Sequence, residues 1–194
     1  MNWNSKKVLV TGGASFIGSH LTEKLTEHGA FVRVADNFSS GEKKHLETVD
    51  CEVLEGDLLE PAFCDRATKG MDVVFHLAAD HGGRGYIDAH QVECSTNMIL
   101  DGQVFRCAHR NGIEKIVFAS SGCVYPTSAQ MDVTKEVFLH ENMVTPPYEA
   151  DDLYGWAKLM AELTLKAYHQ QHELHTASCR YFTVYGPRCT ENHA

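Results

Sequence analysis

Tyr154 and Lys158 are the residues best suited to acid–base chemistry, and they stand four positions apart in the segment YGWAK. Side chains with this spacing share one face of an α-helix. An ammonium group beside a phenol stabilises the phenolate, so the spacing predicts a pKa for Tyr154 that is lowered toward neutrality. Tyr154 is then a candidate general base or acid for interconverting a hydroxyl and a carbonyl. Lys158 could also bond a cofactor ribose, and the alternative for both residues is an ordinary solvated helix face.

A second candidate cluster, SSGCVYP, begins at Ser120 where a predicted strand ends. Doubly wound folds bind their ligands just past the carboxyl ends of strands. Ser121 could hydrogen-bond the reacting hydroxyl and help stabilise its ketone form, or it could simply form a turn. Cys123 is either a small buried hydrophobe or, near a cationic ring and lysines, a thiol that titrates near neutral pH and moves carbon-bound protons.

These residues need a scaffold, and residues 6–36 give the clearest sign of it. Lys7–Thr11 is an apolar run of strand type that ends at Gly12. From Phe16 the apolar residues follow helical spacing, and a second buried strand then ends at Asp36. A strand, a glycine turn, a helix and a second strand with an acidic end are typical of a dinucleotide-binding unit.

The chemistry of a dinucleotide explains the spacing in this unit. Gly12 permits the tight turn out of the first strand, and Gly18 lets the helix pack closely. Ser15 replaces the middle glycine, but it is small and could offer its hydroxyl to a phosphate, which the helix N-terminus also favours. Asp36 can accept hydrogen bonds from ribose hydroxyls and would repel a 2′-phosphate, so the sequence predicts NAD rather than NADP.

Strands and helices keep alternating, which predicts an α/β fold: a Rossmann-type doubly wound parallel sheet with helices on both faces. The later predicted strands are 51–54, 71–77, 115–120 and 176–182, and the later predicted helices are 41–48, 61–68, 86–111 and 151–172. A glycine-rich loop covers 80–85, and a long polar excursion covers 126–149. Loops of that length inside a domain are often functional. The 194 residues fit one ordinary domain.

Composition argues against several classes of protein. The net charge of −9 disfavours nonspecific nucleic-acid binding, although backbone amides can still bind a phosphate locally. No apolar stretch reaches the length of a membrane span, and MNWNSKKVLVTGG has no signal-peptide core, so we expect no membrane association and a cytoplasmic location. The seven cysteines show no CxxC spacing and are expected to be reduced thiols, and no metal site is expected.

The motifs together resemble the extended short-chain dehydrogenase/reductase family, which includes the NAD-dependent nucleotide-sugar epimerases and dehydratases. The resemblance rests on TGGASFIGSHL, Asp36, GDL at 56–58, HLAA at 76–79, Asn97, FASSGCVYP, YGWAK and RYFTVYGPR, and it covers about residues 6–189. It implies a retained NAD that contacts Gly12, Ser15, Phe16, Ile17, Gly18, Asp36, Asn37, Asp57, Leu58, Ala78, Ala79, Asn97, Tyr154 and Lys158. It also implies a nucleotide-sugar substrate that contacts Gly82, Gly83, Ser121, Cys123 and Thr183, where the family usually has asparagine at 183.

Within the family, the sequence most resembles the branch that epimerises GDP-mannose at C3 and C5, because AADHGGRGYI and the cysteine of SSGCVYP match that branch. By this resemblance, Tyr154 takes a hydroxyl proton while hydride passes to the nicotinamide. Oxidation at C4 then acidifies the C3 and C5 hydrogens, which Cys123 removes or returns together with a lysine further along. The alternatives are a UDP-hexose 4-epimerase or another 4-keto-forming enzyme and, in a different class, a non-catalytic NAD-binding regulator.

Family members continue past the VYGPR segment, and the part that follows builds most of their sugar-nucleotide site. We therefore expect residues 1–194 to be the NAD-binding domain, with the C-terminal substrate-binding domain absent or not included. The resemblance also implies a homodimer formed through the helices predicted at 86–111 and 151–172.

Overall fold

Six parallel strands form one sheet in a computed structural model that describes residues 2–131, 134 and 136–189. The strands are Lys7–Thr11 (β1), Phe31–Asp36 (β2), Glu52–Glu55 (β3), Val73–His76 (β4), Lys115–Ser121 (β5) and His175–Tyr181 (β6). They lie in the order β3-β2-β1-β4-β5-β6. The predicted doubly wound parallel sheet is therefore confirmed.

The direction of strand addition reverses at β1. One edge of β1 pairs with β2, so that Val10 lies beside Val34, and its other edge pairs with β4, so that Val10 also lies beside Phe75. The chain first winds outward to β3 and then crosses back to β4. This reversal leaves a crevice at the carboxyl ends of β1 and β4, which is where folds of this type bind ligands.

The helices are Phe16–Glu27 (α1), Pro61–Thr68 (α2), Arg84–Ala89 (α3), Gln91–Ser95 (α4), Asn97–Arg110 (α5), Thr127–Gln130 (α6) and Asp152–His172 (α7). Within the described residues there are also short 3-10 turns at Lys43–His45, Gly122–Val124 and Glu141–Met143. The helices predicted at 61–68 and 151–172 form with nearly those bounds. The helix predicted at 41–48 is a single 3-10 turn.

The sheet is buried on both faces by two apolar layers. On one face, α1 covers Val8, Val10, Val32 and Val34. On the other face, side chains of α2, α5 and α7 cover the sheet, with Phe105 of α5 among the largest fully buried residues. Strands covered on both faces read as continuous apolar runs, which explains the composition of VLV in β1.

The single helix predicted at 86–111 is wrong, because the structure breaks it into α3, α4 and α5. At His90 the backbone leaves helical geometry (φ −124°, ψ 47°), and the His90 ring stacks on Tyr86 with centroids 4.1 Å apart. Further along, Ser95 and Thr96 each donate their hydroxyl to a carbonyl three residues back at 2.6 Å. Such local side-chain bonds compete with the helical ladder and divide the segment.

The polar excursion predicted at 126–149 contains α6 and the 3-10 turn Glu141–Met143, while residues 132, 133 and 135 lie outside the described residues. Its apolar residues Leu139, Met143, Val144 and Tyr148 pack against a cluster that includes Leu159 of α7. Arg180 of β6 fixes the same segment, because its Nη1 donates to the Glu141 carbonyl at 3.0 Å. The excursion is thus folded against the domain beside the carboxyl end of β5.

Among the described residues, no helix has both the length and the apolar character that crossing a membrane requires.

Replacing Phe105 with alanine should destabilise the domain by about 3 to 5 kcal/mol, because the ring is fully buried and its removal leaves a cavity. Chemical denaturation followed by circular dichroism measures the loss. The matched change Phe138→Ala removes a ring that is 70% exposed and should alter stability by no more than about 0.5 kcal/mol. Equal losses in the two variants would contradict the assignment of Phe105 to the core.

Candidate active site

Two adjoining cavities form a cleft along the carboxyl ends of the strands. The first, here the β2 cavity, is lined by the predicted residues Gly12, Ser15, Asp36, Asn37, Asp57, Leu58, Ala78 and Ala79. The second, here the α7 cavity, is lined by Ser15, Phe16, Ile17, Ala79, Gly82, Gly83, Ser121, Cys123, Tyr154, Lys158 and Thr183. Ser15 and Ala79 border both cavities, so the predicted cofactor and substrate residues meet at one crevice.

The turn between β1 and α1 is built from close backbone contacts that only glycine allows. Gly12 has a left-handed φ of +67°, and a β-carbon on it would lie 3.0 Å from the backbone nitrogen of Ala78. A β-carbon on Gly18 would lie 2.1 Å from the carbonyl oxygen of Gly12. These contacts bring the start of α1 directly against the end of β1, as the glycine spacing predicted.

Ser15 plays a different part from the one expected of its side chain. Its hydroxyl donates to the Gly12 carbonyl at 2.6 Å and makes no capping bond to α1. The nearby carbonyl thus takes the hydroxyl proton in this arrangement, and the contact of Ser15 with a phosphate stays a prediction. The backbone N–H groups in the first turn of α1 have no partner within the helix, and such groups favour a phosphate.

Asp36 is almost completely buried at the end of β2, where it borders the β2 cavity. Its Oδ2 accepts the N–H of Ala14 at 2.9 Å, and its Oδ1 accepts the N–H of Phe38 at 2.8 Å. These bonds fix the carboxylate while each oxygen keeps a further lone pair for a ribose hydroxyl. The glycine cradle, the free N–H groups and this fixed acid together fit a dinucleotide.

Asn97, predicted as a cofactor contact, instead lies behind the cleft. It is fully buried, its Nδ2 donates to the Asp80 carbonyl at 2.8 Å, and its Oδ1 accepts the Asp80 N–H at 2.8 Å. Both ends of the amide are thus used to hold the loop that follows Ala79. Asn97 can position that loop because it is the first residue of α5, and α5 begins underneath the loop.

Tyr154 and Lys158 lie side by side on the inner face of α7 and both border the α7 cavity. The exposed fraction is 9% for Tyr154 and 2% for Lys158. The Lys158 Nζ is 5.7 Å from the centre of the Tyr154 ring and 4.7 Å from the centre of the Phe118 ring. The predicted pair is therefore brought together at the cleft, on the buried face of the helix rather than a solvated one.

The predicted lowering of the Tyr154 pKa is wrong when only the protein's own residues surround the phenol. Burial raises the pKa of Tyr154, the charges of Cys123, Asp101 and Cys94 raise it further, and a hydrogen bond with Ser121 works in the opposite direction. Burial likewise lowers the pKa of Lys158, and Asp101 partly opposes that change. The helical spacing gave the correct neighbour, but removal from water outweighs the neighbour's charge.

Cys123 borders the α7 cavity, and α7 approaches its backbone very closely. A β-carbon on Gly155 would lie 2.5 Å from the Cys123 carbonyl oxygen, and that same oxygen accepts the N–H of Asp151 at 2.9 Å. The Ser121 hydroxyl accepts the Cys123 N–H at 3.1 Å. Gly155 thus permits the close approach that positions Cys123, which sequence reasoning missed although Gly155 lies inside YGWAK.

Arg84 and Asp151 are two further cleft residues that the sequence did not assign. Arg84 follows the predicted Gly82 and Gly83, bonds to Asp151, and donates to Asp152 at 3.0 Å. These ion pairs tie the glycine-rich loop to the start of α7. The position of Arg84 in that loop was the available signal, but its partners are 67 and 68 residues away in the chain.

Gly18→Ala should weaken NAD binding by about tenfold or more, equivalent to about 1.4 kcal/mol, because the turn must move away from the added methyl group. Titration calorimetry with NAD and thermal unfolding measure both the affinity and the cost to the fold. Gly102→Ala is the matched control, since a β-carbon there meets nothing within 4 Å and should leave NAD affinity unchanged. Wild-type affinity in the Gly18 variant would refute the role of this turn.

Comparison with known proteins identifies relatives of this chain. The model of the NAD-dependent epimerase/dehydratase family matches residues 8–194. The chain is 34% identical to GDP-mannose 3,5-epimerase of Arabidopsis thaliana, over 95% of this chain and 49% of that protein. It is 31% identical to UDP-glucuronic acid decarboxylase 1 of Xenopus tropicalis, over 96% of this chain and 43% of that protein.

Among solved structures, the UDP-glucose 4-epimerase of Thermus thermophilus in complex with NAD superimposes with a TM-score of 0.81. The identity is 30%, and the match covers 94% of this chain and 57% of that one. The chain spans about half the length of the curated relatives that it matches. The chain belongs to the NAD-dependent epimerase/dehydratase family, whose cofactor is NAD.

Proposed function

We propose that the whole protein is an NAD-dependent nucleotide-sugar epimerase that works through a transient 4-keto sugar, with 3,5-epimerisation of a GDP-hexose such as GDP-mannose as the lead activity. One observation carries the proposal: Tyr154, Lys158, Ser121 and Cys123 all border one cavity that adjoins a dinucleotide cradle. The identity to GDP-mannose 3,5-epimerase supports the choice of substrate.

In this proposal Tyr154 takes the proton of the C4 hydroxyl and later returns it. When bound, NAD supplies the acceptor for the C4 hydride and, in its oxidised form, a positive ring charge. Burial alone raises the pKa of Tyr154, so a phenolate needs cations nearby. Lys158, whose Nζ is 5.7 Å from the ring centre, supplies one of these. Ser121 donates a hydrogen bond that further favours the phenolate.

Cys123 is the residue that separates the lead activity from simpler ones. A ketone at C4 acidifies the hydrogens on C3 and C5; the thiolate form of Cys123 can remove such a proton, and the thiol form can return one. Inversion at C4 requires no such group. A UDP-hexose 4-epimerase is the second candidate, supported by the 4-epimerases among the similar structures.

The proposal also includes a substrate-binding part beyond the described residues. β6 is an edge strand, and its last residue together with the segment that follows exposes several large apolar side chains: Tyr181 at 38%, Phe182 at 59%, Val184 at 38% and Tyr185 at 88%. Apolar patches of this kind usually face another structural element. In this proposal that element completes the α7 cavity and supplies the partner lysine of Cys123.

A homodimer and a cytoplasmic location complete the proposal. Exposed apolar residues lie along the outer face of α7 at Leu153, Trp156 and Met160, and others lie on α4 and α5 at Val92, Met98 and Ile99. The spacing within α7 follows one helix face, as an interface between two bundled helix pairs requires. Six cysteines carry free thiols, which suits a reducing compartment: Cys51, Cys64, Cys94, Cys107, Cys123 and Cys179.

The test of the chemistry is to incubate the protein, with any sequence that follows Ala194 in its gene, with NAD and either GDP-mannose or UDP-hexoses in heavy water. Mass spectrometry and proton NMR should find deuterium at C3 or C5 of the sugar. Cys123→Ser should lower that incorporation by about a hundredfold or more, the usual effect of losing an acid–base group. Cys51→Ser, remote from the cleft, should leave it unchanged.

Each of the other outcomes favours a different activity. Inversion at C4 without deuterium uptake would refute the 3,5-epimerase and favour a 4-epimerase. No change in any sugar, together with a Tyr154→Phe variant that binds NAD and behaves like the wild type, would favour a non-catalytic NAD-binding protein.

Met160→Lys should convert the dimer to a monomer, because it places a charge in the centre of the proposed apolar interface. Sedimentation velocity measures the mass in solution. Met131→Lys makes the same change at a side chain that is 76% exposed and lies outside α4, α5 and α7, and it should leave the dimer intact. A wild-type protein that sediments as a monomer would exclude this interface.

A further inference from the structure

The segment that follows β6, here called the strap, comprises residues 182–188 and crosses from the end of β5 to α1. Its first residue packs against the serine cluster, residues 120–126. The Phe182 ring stacks on Tyr125 with centroids 5.9 Å apart, and a β-carbon on Gly122 would lie 2.9 Å from the Phe182 ring. The strap is therefore fixed at the β5 side of the cleft.

The other end of the strap lies on α1. A β-carbon on Gly186 would lie 3.6 Å from the ring of Phe16, so the strap passes beside the first residue of α1. One turn further along α1, Nε2 of His20 lies 3.0 Å from the carbonyl oxygen of Pro187. Because a carbonyl oxygen only accepts, His20 carries a proton on Nε2 and donates it to the strap.

Arg188 adds a charged contact between the strap and α1. Its Nη2 lies 3.1 Å from Oε2 of Glu23, and its Nη1 donates to Oγ of Ser19 at 3.2 Å. Ser19 is fully buried, and its own hydroxyl donates to the Phe16 carbonyl at 3.1 Å. The backbone of Arg188 is left-handed (φ +70°), which is uncommon for arginine. Such a conformation persists where the surroundings fix it, and here two bonds from the side chain do so.

Because both of its ends are fixed, the strap forms one wall of the α7 cavity. Thr183, Val184 and Arg188 border that cavity together with Phe16 and Ile17 of α1. The start of α1 belongs to the dinucleotide cradle, whereas the serine cluster carries groups proposed for the chemistry. The strap therefore connects the cofactor side of the cleft with its catalytic side.

We propose that Arg188 and His20 are positioning residues that hold the strap on α1 and thereby keep NAD in the cleft from one turnover to the next. The inference rests on the proposed function, which places the reactive end of NAD in the α7 cavity. In an epimerisation the hydride returns to the sugar, so the same NAD serves every turnover and loss of its reduced form would stop the enzyme. Release then requires a detached strap, and its rate follows the fraction of molecules in which the strap is detached.

The test measures the release of cofactor and does not depend on turnover. The protein used for the deuterium test is loaded with NADH and mixed with excess NAD, and the change in NADH fluorescence gives the release rate. Arg188→Ala and Glu23→Gln should each raise that rate by about threefold to tenfold, because each removes the ion pair between the strap and α1. The double variant should release NADH no faster than Arg188→Ala, since both changes break the same ion pair.

A second measurement follows the strap itself in the protein without cofactor. Amide hydrogen exchange of peptides covering 182–188, read by mass spectrometry, should be faster in both variants than in the wild type. Lys24→Ala is the matched control on the same helix. It removes an exposed ion pair with Glu27 that involves no strap residue, so it should leave both the exchange and the NADH release unchanged.

Two results would overturn the inference. Wild-type exchange of residues 182–188 in both variants would show that the ion pair does not hold the strap. Wild-type release of NADH from a variant whose strap exchanges faster would show that the strap does not retain the cofactor. Glu23→Gln keeps the shape of a partly exposed side chain, so it tests both points even if Arg188→Ala does not fold. Neither measurement uses a sugar, so this inference and the proposed epimerisation can fail separately.

Discussion

The parallel pairing of β1 with β2 on one side and with β4 on the other determines where every functional side chain lies. Because all six strands run in the same direction, their carboxyl ends meet at one edge of the sheet. A common crevice is therefore bordered by residues from four strand ends. They are the glycine turn after β1, Asp36 at the end of β2, the Ala78–Ala79 segment after β4 and the serine cluster at the end of β5. The shared direction of the strands is therefore what brings these residues together at one site.

Burial is the second physical factor that governs the site. Tyr154 and Lys158 are placed on the inner face of α7, where loss of water makes both charged forms harder to reach. Two residues from other elements counter this effect: a hydrogen bond with Ser121 of β5 does so for Tyr154, and the charge of Asp101 of α5 does so for Lys158, although Asp101 also raises the pKa of Tyr154. An acid–base pair of this kind is set by its surroundings, and the Tyr-x-x-x-Lys spacing alone does not determine its protonation.

The family and the specific reaction rest on different parts of the protein. The part of these proteins that the chain matches is shared by relatives named as epimerases and decarboxylases, at similar identity to this chain. Those relatives extend to about twice the matched length. Under the proposed function, Cys123 is the residue that separates a C3/C5 epimerisation from a C4 inversion, since both begin with the same oxidation.

All of the predicted site residues except Gly18 and Asn97 border the cleft. The sequence by itself determined the βαβ unit and the strand and helix alternation. Glycine spacing, apolar periodicity and the i, i+4 rule are local properties, and they were sufficient for these features. Only the tertiary structure decided the raised pKa of Tyr154, the division of the helix predicted at 86–111, and the loop-holding role of Asn97. It also revealed the buried hydrogen bonds that join Thr11 to His76 and His76 to Asp101, and Thr11 and His76 are 65 positions apart. Burial and long-range hydrogen bonds depend on which distant segments become neighbours, and no local pattern carries that information.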